Sequence, residues 1–181
     1  MDAEGRRETG CWRGRPGGGL QAAGCGRRAV DAGLRAAVDE YFQDKAAAER
    51  RYGKMNTWDV GRVTDMSGLF EGRYTFNDPG ITTWDTSVVT TMKEMFMGCV
   101  DFDQPIGAWD VSSVTDISWM FYACVAYSGR GIGSWDTSSC TNMESMFSEC
   151  HNMNVDLGAW DVSSLSNVWC MFSGCAAFTG R

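Results

Sequence analysis

Five aspartates recur at a fixed place in this chain: Asp59, Asp85, Asp110, Asp136 and Asp161, each directly after a tryptophan. Acid/base pairs could be drawn from Asp101, Asp103, Asp116 and Glu149, but carboxylates on an acidic surface are usually just solvated. Carboxylates in the register of the five could do two kinds of chemistry. Neighbours could hold calcium through their oxygens. Or each could accept backbone N–H groups from the Ser/Thr-rich turn that follows it, as at Ser112-Ser113. Stacked carboxylates repel by about 3 kcal/mol at about 5 Å and an effective dielectric near 20, so the ladder needs compensation. The following turn supplies it. Calcium is disfavoured because the Gly-rich nonapeptide of calcium-binding β-rolls is absent.

The other reactive side chains are less suggestive. Cys99, Cys124, Cys150 and Cys175 all stand fifteen residues after a Trp, and Arg73 takes that place in the first repeat. No CxxC occurs and His151 is the only histidine, so neither metal nor cofactor is expected. A repeated inward position suits the thiol as a small apolar group. Disulfides between neighbouring coils are the alternative. His151 lies in the variable segment, so no Ser-His-acid arrangement can be assembled, and no Gly-rich phosphate cradle exists. The chain reads as noncatalytic.

The elements that must position these residues follow from the spacing. Trp58, Trp84, Trp109, Trp135 and Trp160 are each followed twelve residues later by Phe70, Phe96, Phe121, Phe147 and Phe172. The Trp-to-Trp steps are 26, 25, 26 and 25, so the length varies only after each Phe. A fixed period of this size signals stacked repeats. Apolar columns lie five, eight, eleven and twelve residues after the Trp, a helical spacing, which predicts a short helix in each coil. The hydroxyl column Thr64, Thr90, Thr115, Thr141 and Ser166 would cap those helices, with Thr141 and Glu144 as a capping box. Around Ile106, Ala108, Trp109 and Val111 the chain looks extended, which predicts a short strand pairing with its copies. The fold class expected is therefore an α/β repeat solenoid, leucine-rich-repeat-like, with a short strand and a short helix per 25–26-residue coil.

Three segments are expected. Residues 1–27, rich in Gly and Arg, read as a disordered tail. Residues 28–54 read as a helical N-terminal cap, because Val30, Leu34, Val38, Tyr41 and Phe42 share one helix face. Residues 55–181 read as the five-repeat stack. Charge divides the same way: residues 1–54 hold eleven Lys/Arg against eight Asp/Glu, a net of +3, and residues 55–181 hold five against fifteen, a net of −10. An acidic repeat region argues against nucleic acid and anionic membrane surfaces as partners. Residues 1–26 contain no apolar run of signal-peptide length, and no stretch is suited to membrane insertion.

The pattern Ile-x-x-Trp-Asp-(Val/Thr)-Ser-x-Val-Thr-x-Met-x-x-Met-Phe-x-x-Cys-x-x-Phe over residues 55–178 resembles the 26-residue surface-protein repeat, a BspA-like branch of the leucine-rich-repeat family. That resemblance implies a cell-surface or secreted protein that binds a protein or a surface ligand without catalysis.

The candidate binding residues are Asp85, Asp110 and Asp136 on the strand side, with Trp119 and Trp169 among the variable positions nine and ten residues after the Trp. A carbohydrate-binding or carboxylate-based hydrolase module and a structural spacer within a longer solenoid are the alternatives. The last repeat keeps Trp160, Val162, Leu165, Val168, Met171 and Phe172, with no polar closing unit after it, so either self-association through this end or continuation into a longer solenoid is expected.

Overall fold

The computed structural model describes the backbone of Trp12–Gly14, Leu20–Ala22 and residues 27–180, and the side chains of residues 30–180. The disorder expected for residues 1–27 falls mostly outside these. Within that segment β1 (Trp12–Gly14) and β2 (Leu20–Ala22) pair antiparallel, Trp12 opposite Ala22.

Helix α1 (Arg27–Gln43) buries Val30, Leu34, Ala37, Val38 and Tyr41, spaced three and four apart on one face. Helix α2 (Lys45–Tyr52) begins where the Asp44 side chain accepts the Ala47 N–H at 2.9 Å and ends at Gly53, whose φ of 79° no ordinary residue adopts cheaply. No helix among the described residues is long and apolar enough to cross a membrane.

From residue 55 the chain stacks five coils, numbered here by Trp58, Trp84, Trp109, Trp135 and Trp160, with +n denoting n residues after the Trp. The α/β solenoid with a strand and a helix in every coil is not what forms. Strand pairing within the coils shrinks to single parallel bridges at +7, linking Asp65, Thr91, Asp116, Asn142 and Asn167 in turn. No coil contains an α-helix. The segment before the Trp, expected as a strand, holds 3₁₀ turns at Met55–Thr57, Pro79–Thr83 and Ile132–Ser134.

The reason lies in two backbone positions. Position +10 has positive φ in every coil: Gly68, Glu94, Trp119, Ser145 and Cys170, at 50–61°. So does +14: Gly72, Gly98, Ala123, Glu149 and Gly174, at 56–74°. A right-handed helix cannot pass through left-handed residues. The chain instead makes consecutive turns, with Leu69 N–H to Met66 C=O, Glu71 to Gly68 and Arg73 to Phe70 at 3.1–3.3 Å. Turns closed between residues three apart reproduce the three-and-four apolar spacing that reads as a helix.

Between these turns the even positions bond to the next coil. Met66, Gly68, Phe70 and Gly72 donate to the carbonyls of Thr91, Lys93, Met95 and Met97 at 2.8–3.0 Å. The same four bonds recur from coil 2 to coil 5. The hydroxyl column does not cap helices. Thr90, Thr115, Thr141 and Ser166 direct both N–H and hydroxyl to the same position of the preceding coil, the hydroxyls at 2.9–3.2 Å. In coils 2 and 4 position +2 is Thr, and Thr86 and Thr137 donate forward to the carbonyls of Asp110 and Asp161 at 2.9 Å. In coils 1, 3 and 5 it is Val60, Val111 and Val162.

The interior is built from ladders. All five Trp are buried, and each indole Nε1 donates to a backbone carbonyl: Trp84, Trp109, Trp135 and Trp160 to the residue three before the preceding Trp, at 2.9–3.2 Å. The Phe column stacks with ring centroids 5.5–5.8 Å apart. Burial of each such side chain stabilises by roughly 1.5–3 kcal/mol. No coil has an opposite wall until its neighbours stack on it. The +18 column packs beside the Phe rings, and there Tyr127 replaces Phe; its hydroxyl is buried with no hydrogen-bond partner among the described residues.

Candidate functional site

The aspartate ladder is exposed along its length. Asp85, Asp110, Asp136 and Asp161 each accept the backbone N–H of the serine two residues on, at 2.8–3.1 Å. Ser87 and Ser112 add their hydroxyls at 2.7 and 2.6 Å. These serine bonds hold all four carboxyls below the usual carboxylate range, against the repulsion Asp110 receives from Asp85 and Asp136 from Asp110 and Asp161. In coil 1 Gly61 stands where the other coils have Ser, and a Cβ there would meet an Asp85 carboxylate oxygen at 2.9 Å. The ladder is a run of self-capped turns. Among the described residues no group of His, Cys, Asp and Glu could hold a metal ion.

A second ladder of this kind escapes a reading centred on the Trp-Asp pair. At +7, Asp65, Asp116, Asn142 and Asn167 accept the N–H two residues on at 2.8–3.1 Å, and Thr91 does so at 3.4 Å. The signal was present: a short polar side chain at one fixed offset in five repeats.

The indoles do not share a column. Trp119 is at +10, half-buried, with φ of 61° and its ring 5.0 Å from Tyr122. Trp169 is at +9 of coil 5 and is 66% exposed. No ring contact joins the two among the described residues.

The cysteine column contains free thiols rather than disulfides. Cys99, Cys124, Cys150 and Cys175 each donate to the Phe carbonyl of the preceding coil at 2.9–3.1 Å. Burial pushes Cys99 up to about 12 and raises the other three, so this column offers no reactive thiolate. His151 is exposed, 3.2 Å from Glu149 Oε2.

The two ends of the stack differ. At the N-terminal end Asp31 of α1 accepts the Thr64 N–H at 2.9 Å and stands in for the carbonyl of a preceding coil. Arg35 donates to the Ser67 carbonyl and to Asp65. Arg73, where other coils have Cys, reaches Asp39 at 2.6 Å and covers the Phe42 ring at 4.6 Å, so the exception in the cysteine column is the cap contact. At the C-terminal end Leu157, Trp160, Val162, Leu165, Val168 and Phe172 border an open apolar depression of about 720 Å³.

The DUF285 family, described as Mycoplasma protein of unknown function, matches residues 36–130 and 126–181. No curated protein and no solved structure matches the chain. The two matched stretches together run from within α1 through all five coils, and the chain belongs to the DUF285 family.

Proposed function

We propose that this protein is a noncatalytic repeat scaffold that binds another protein or a cell-surface ligand through the lateral face of its coils. The observation that carries this reading is the exposed row Asp85, Asp110 and Asp136. Each carboxylate is fixed by its own turn, stays ionised, and repeats once per coil. Such a row suits a partner with regularly spaced cationic side chains, and electrostatic complementarity of this kind sets specificity and association rate. The Trp119–Tyr122 pair adds an aromatic surface of the type enriched at binding hot spots. The resemblance to the BspA-like repeat favours the cell surface as the place of action.

The hydrolase alternative has less support. A general acid needs a carboxyl raised toward neutrality. Among the described residues, Asp78, Asp85, Asp110, Asp136 and Asp161 are held below the ordinary carboxylate range instead. Peptide and glycan arrays probed with the full chain and with Asp85→Asn/Asp110→Asn/Asp136→Asn test the proposal. Binding to basic peptides that weakens with salt and disappears in the triple variant is expected. Glycan binding that the triple variant retains would replace it with the carbohydrate reading. Silence on both arrays would leave the spacer role.

A further inference from the structure

The junctions between coils are not equally fastened, and the one between coils 3 and 4 lacks what the others have. On the loop side the N–H at +17 donates to the carbonyl at +16 of the preceding coil: Asp101 to Tyr74, Ala126 to Val100 and Ala177 to His151, at 3.0–3.1 Å. Among the described residues the matching bond from Asn152 to Val125 is missing. A +19 side chain reinforces the same three junctions. Asn77 accepts the Asp103 N–H at 3.0 Å, Asp103 the Ser128 N–H at 3.0 Å and Asn154 the Thr179 N–H at 3.2 Å. Ser128 already gives its hydroxyl to Asp103 at 2.6 Å, and the Asn154 N–H reaches only the Ser128 carbonyl, at 3.5 Å.

The interior is thinner at the same place. Phe70 meets Trp84 at 5.9 Å, Phe96 meets Trp109 at 6.0 Å and Phe147 meets Trp160 at 6.2 Å, a diagonal that ties each coil to the next. No such contact joins Phe121 to Trp135 among the described residues. The Phe column alone carries the rings across, Phe121 to Phe147 at 5.8 Å. Val111 stands where, at the junctions on either side, Thr86 and Thr137 reach forward. The unpaired Tyr127 hydroxyl belongs to coil 3, and a buried hydroxyl of this kind regains its hydrogen bonds when water reaches it. The connector Gly129-Arg130-Gly131-Ile132-Gly133 is richer in glycine than the other three, with φ of 80° at Gly129 and 87° at Gly131. The opposite side of the junction is intact: Ile117, Trp119, Phe121 and Ala123 donate to coil 4 at 2.8–3.0 Å.

We infer that the stack hinges between coils 3 and 4. The loop side, +15 to +20, opens about the intact ladder at +8 to +14, and the cap with coils 1–3 moves against coils 4 and 5. Besides the long Asn154 contact, the bond that parts on the loop side is the Cys150 thiol on the Phe121 carbonyl, at 2.9 Å. Arg130 stays with coil 2, held by the Asp103 carbonyl at 2.7 Å and carboxylate at 3.0 Å, so the change in backbone angles falls on Gly131 and Gly133. The hinge rests on this packing alone. On the binding reading above it has a use: Asp85 and Asp110 ride on one body and Asp136 on the other, so the row bends to meet a partner.

Alkylation of the full chain by iodoacetamide under reducing conditions, with each cysteine read separately by mass spectrometry, tests the hinge. Cys99, Cys124 and Cys150 are all 0% exposed, so differences in their rates report opening. Cys150 should label at least tenfold faster than Cys99 and Cys124. Val111→Thr supplies the forward hydroxyl, and Tyr127→Phe removes the unpaired one. Each should slow Cys150 at least threefold and leave the ratio of Cys99 to Cys124 unchanged. Phe172→Ala loosens coil 5 and should speed Cys175 but not Cys150. A Cys150 rate no faster than that of Cys124 would overturn the hinge. So would a Cys150 rate that rises with Cys175 in Phe172→Ala, which marks opening from the end of the stack. Should Val111→Thr fail to fold, the wild-type rates and Phe172→Ala decide. These rates do not depend on the aspartate row, so the hinge and the binding reading fail separately.

Discussion

The two ends of the stack meet the same need with opposite chemistry, and only one end meets it from within the described chain. A coil has a sense: it offers carbonyls backward and N–H groups forward at four places. The N-terminal end is served by an acceptor for the backward-pointing amide at +6, Asp31 to Thr64, and by a cation for one of its carbonyls, Arg35 to Ser67. Gly53 supplies the carbonyl that the Trp58 indole would take from an earlier coil, at 3.1 Å. The C-terminal end would need carbonyls and apolar side chains. The difference teaches that a helix suits one end of this architecture and not the other. A helix flank can project carboxylates and guanidinium groups, but its own carbonyls are already committed along its axis.

Four measurements test that contrast. The largest effect is expected between the middle and the open end. Trp109→Ala should destabilise by about 3–5 kcal/mol, since coils on both sides hold the cavity open. Phe172→Ala, in the half-buried last rung, should cost less than about 2 kcal/mol by the same rule. Denaturant melts giving equal losses would mean that the open end is covered in solution.

Next comes the capped end. Asp31→Ala leaves the Thr64 N–H and hydroxyl without their acceptor and should cost about 1–3 kcal/mol. A loss within error would show that α1 docks through its apolar face alone.

Within the core, Tyr127→Phe restores the residue type found at this position in coils 1, 2 and 5 and removes the unpaired hydroxyl. It should stabilise by about 1 kcal/mol, a reversal of sign relative to most core changes.

The smallest effect is electrostatic. The folded-state pKa values of Asp85 and Asp110 lie below their unfolded ones because serine donors favour the charged form. Their contribution is thus fully present above the unfolded value near 3.9 and is lost as pH falls through the lowered folded values. The melting temperature should decline in that acid window, and Asp85→Asn/Asp110→Asn should flatten the slope slightly. A steeper slope in the variant would reverse the sign of the assignment.

Much of this could be read from the residues. The Trp and Phe columns mark the interior, and their constant separation marks the rigid part of each coil. The aspartates followed by Ser-rich turns point to self-capping. The secondary structure could not be read this way, for a definite physical reason. Periodicity reports which side chains face inward, and a three-and-four rhythm is produced equally by a helix and by consecutive turns. Gly68, Gly72, Gly98 and Gly174 were the available clue that the chain visits left-handed conformations. Glu94, Trp119, Ser145 and Cys170 hid it, since side-chain residues rarely take such values. The strand expectation failed similarly. The residues around Trp109 are inward-facing and apolar, but most of the backbone bonds between coils are carried by +6 to +14, a stretch whose polar residues look like loop.

The alternation of Thr and Val at +2 makes the unit of construction a pair of coils. Thr86 and Thr137 reach forward to the coil after them, and Val60 and Val111 do not. The 26- and 25-residue steps alternate in the same phase, so Trp58 to Trp109, Trp84 to Trp135 and Trp109 to Trp160 are each 51 residues. Duplication or loss of a 51-residue segment beyond coil 1 therefore keeps the Thr/Val alternation and the step lengths in phase. A change of one coil sets two like faces together and shifts the phase of all that follow. Lineages of this repeat should grow and shrink in twos.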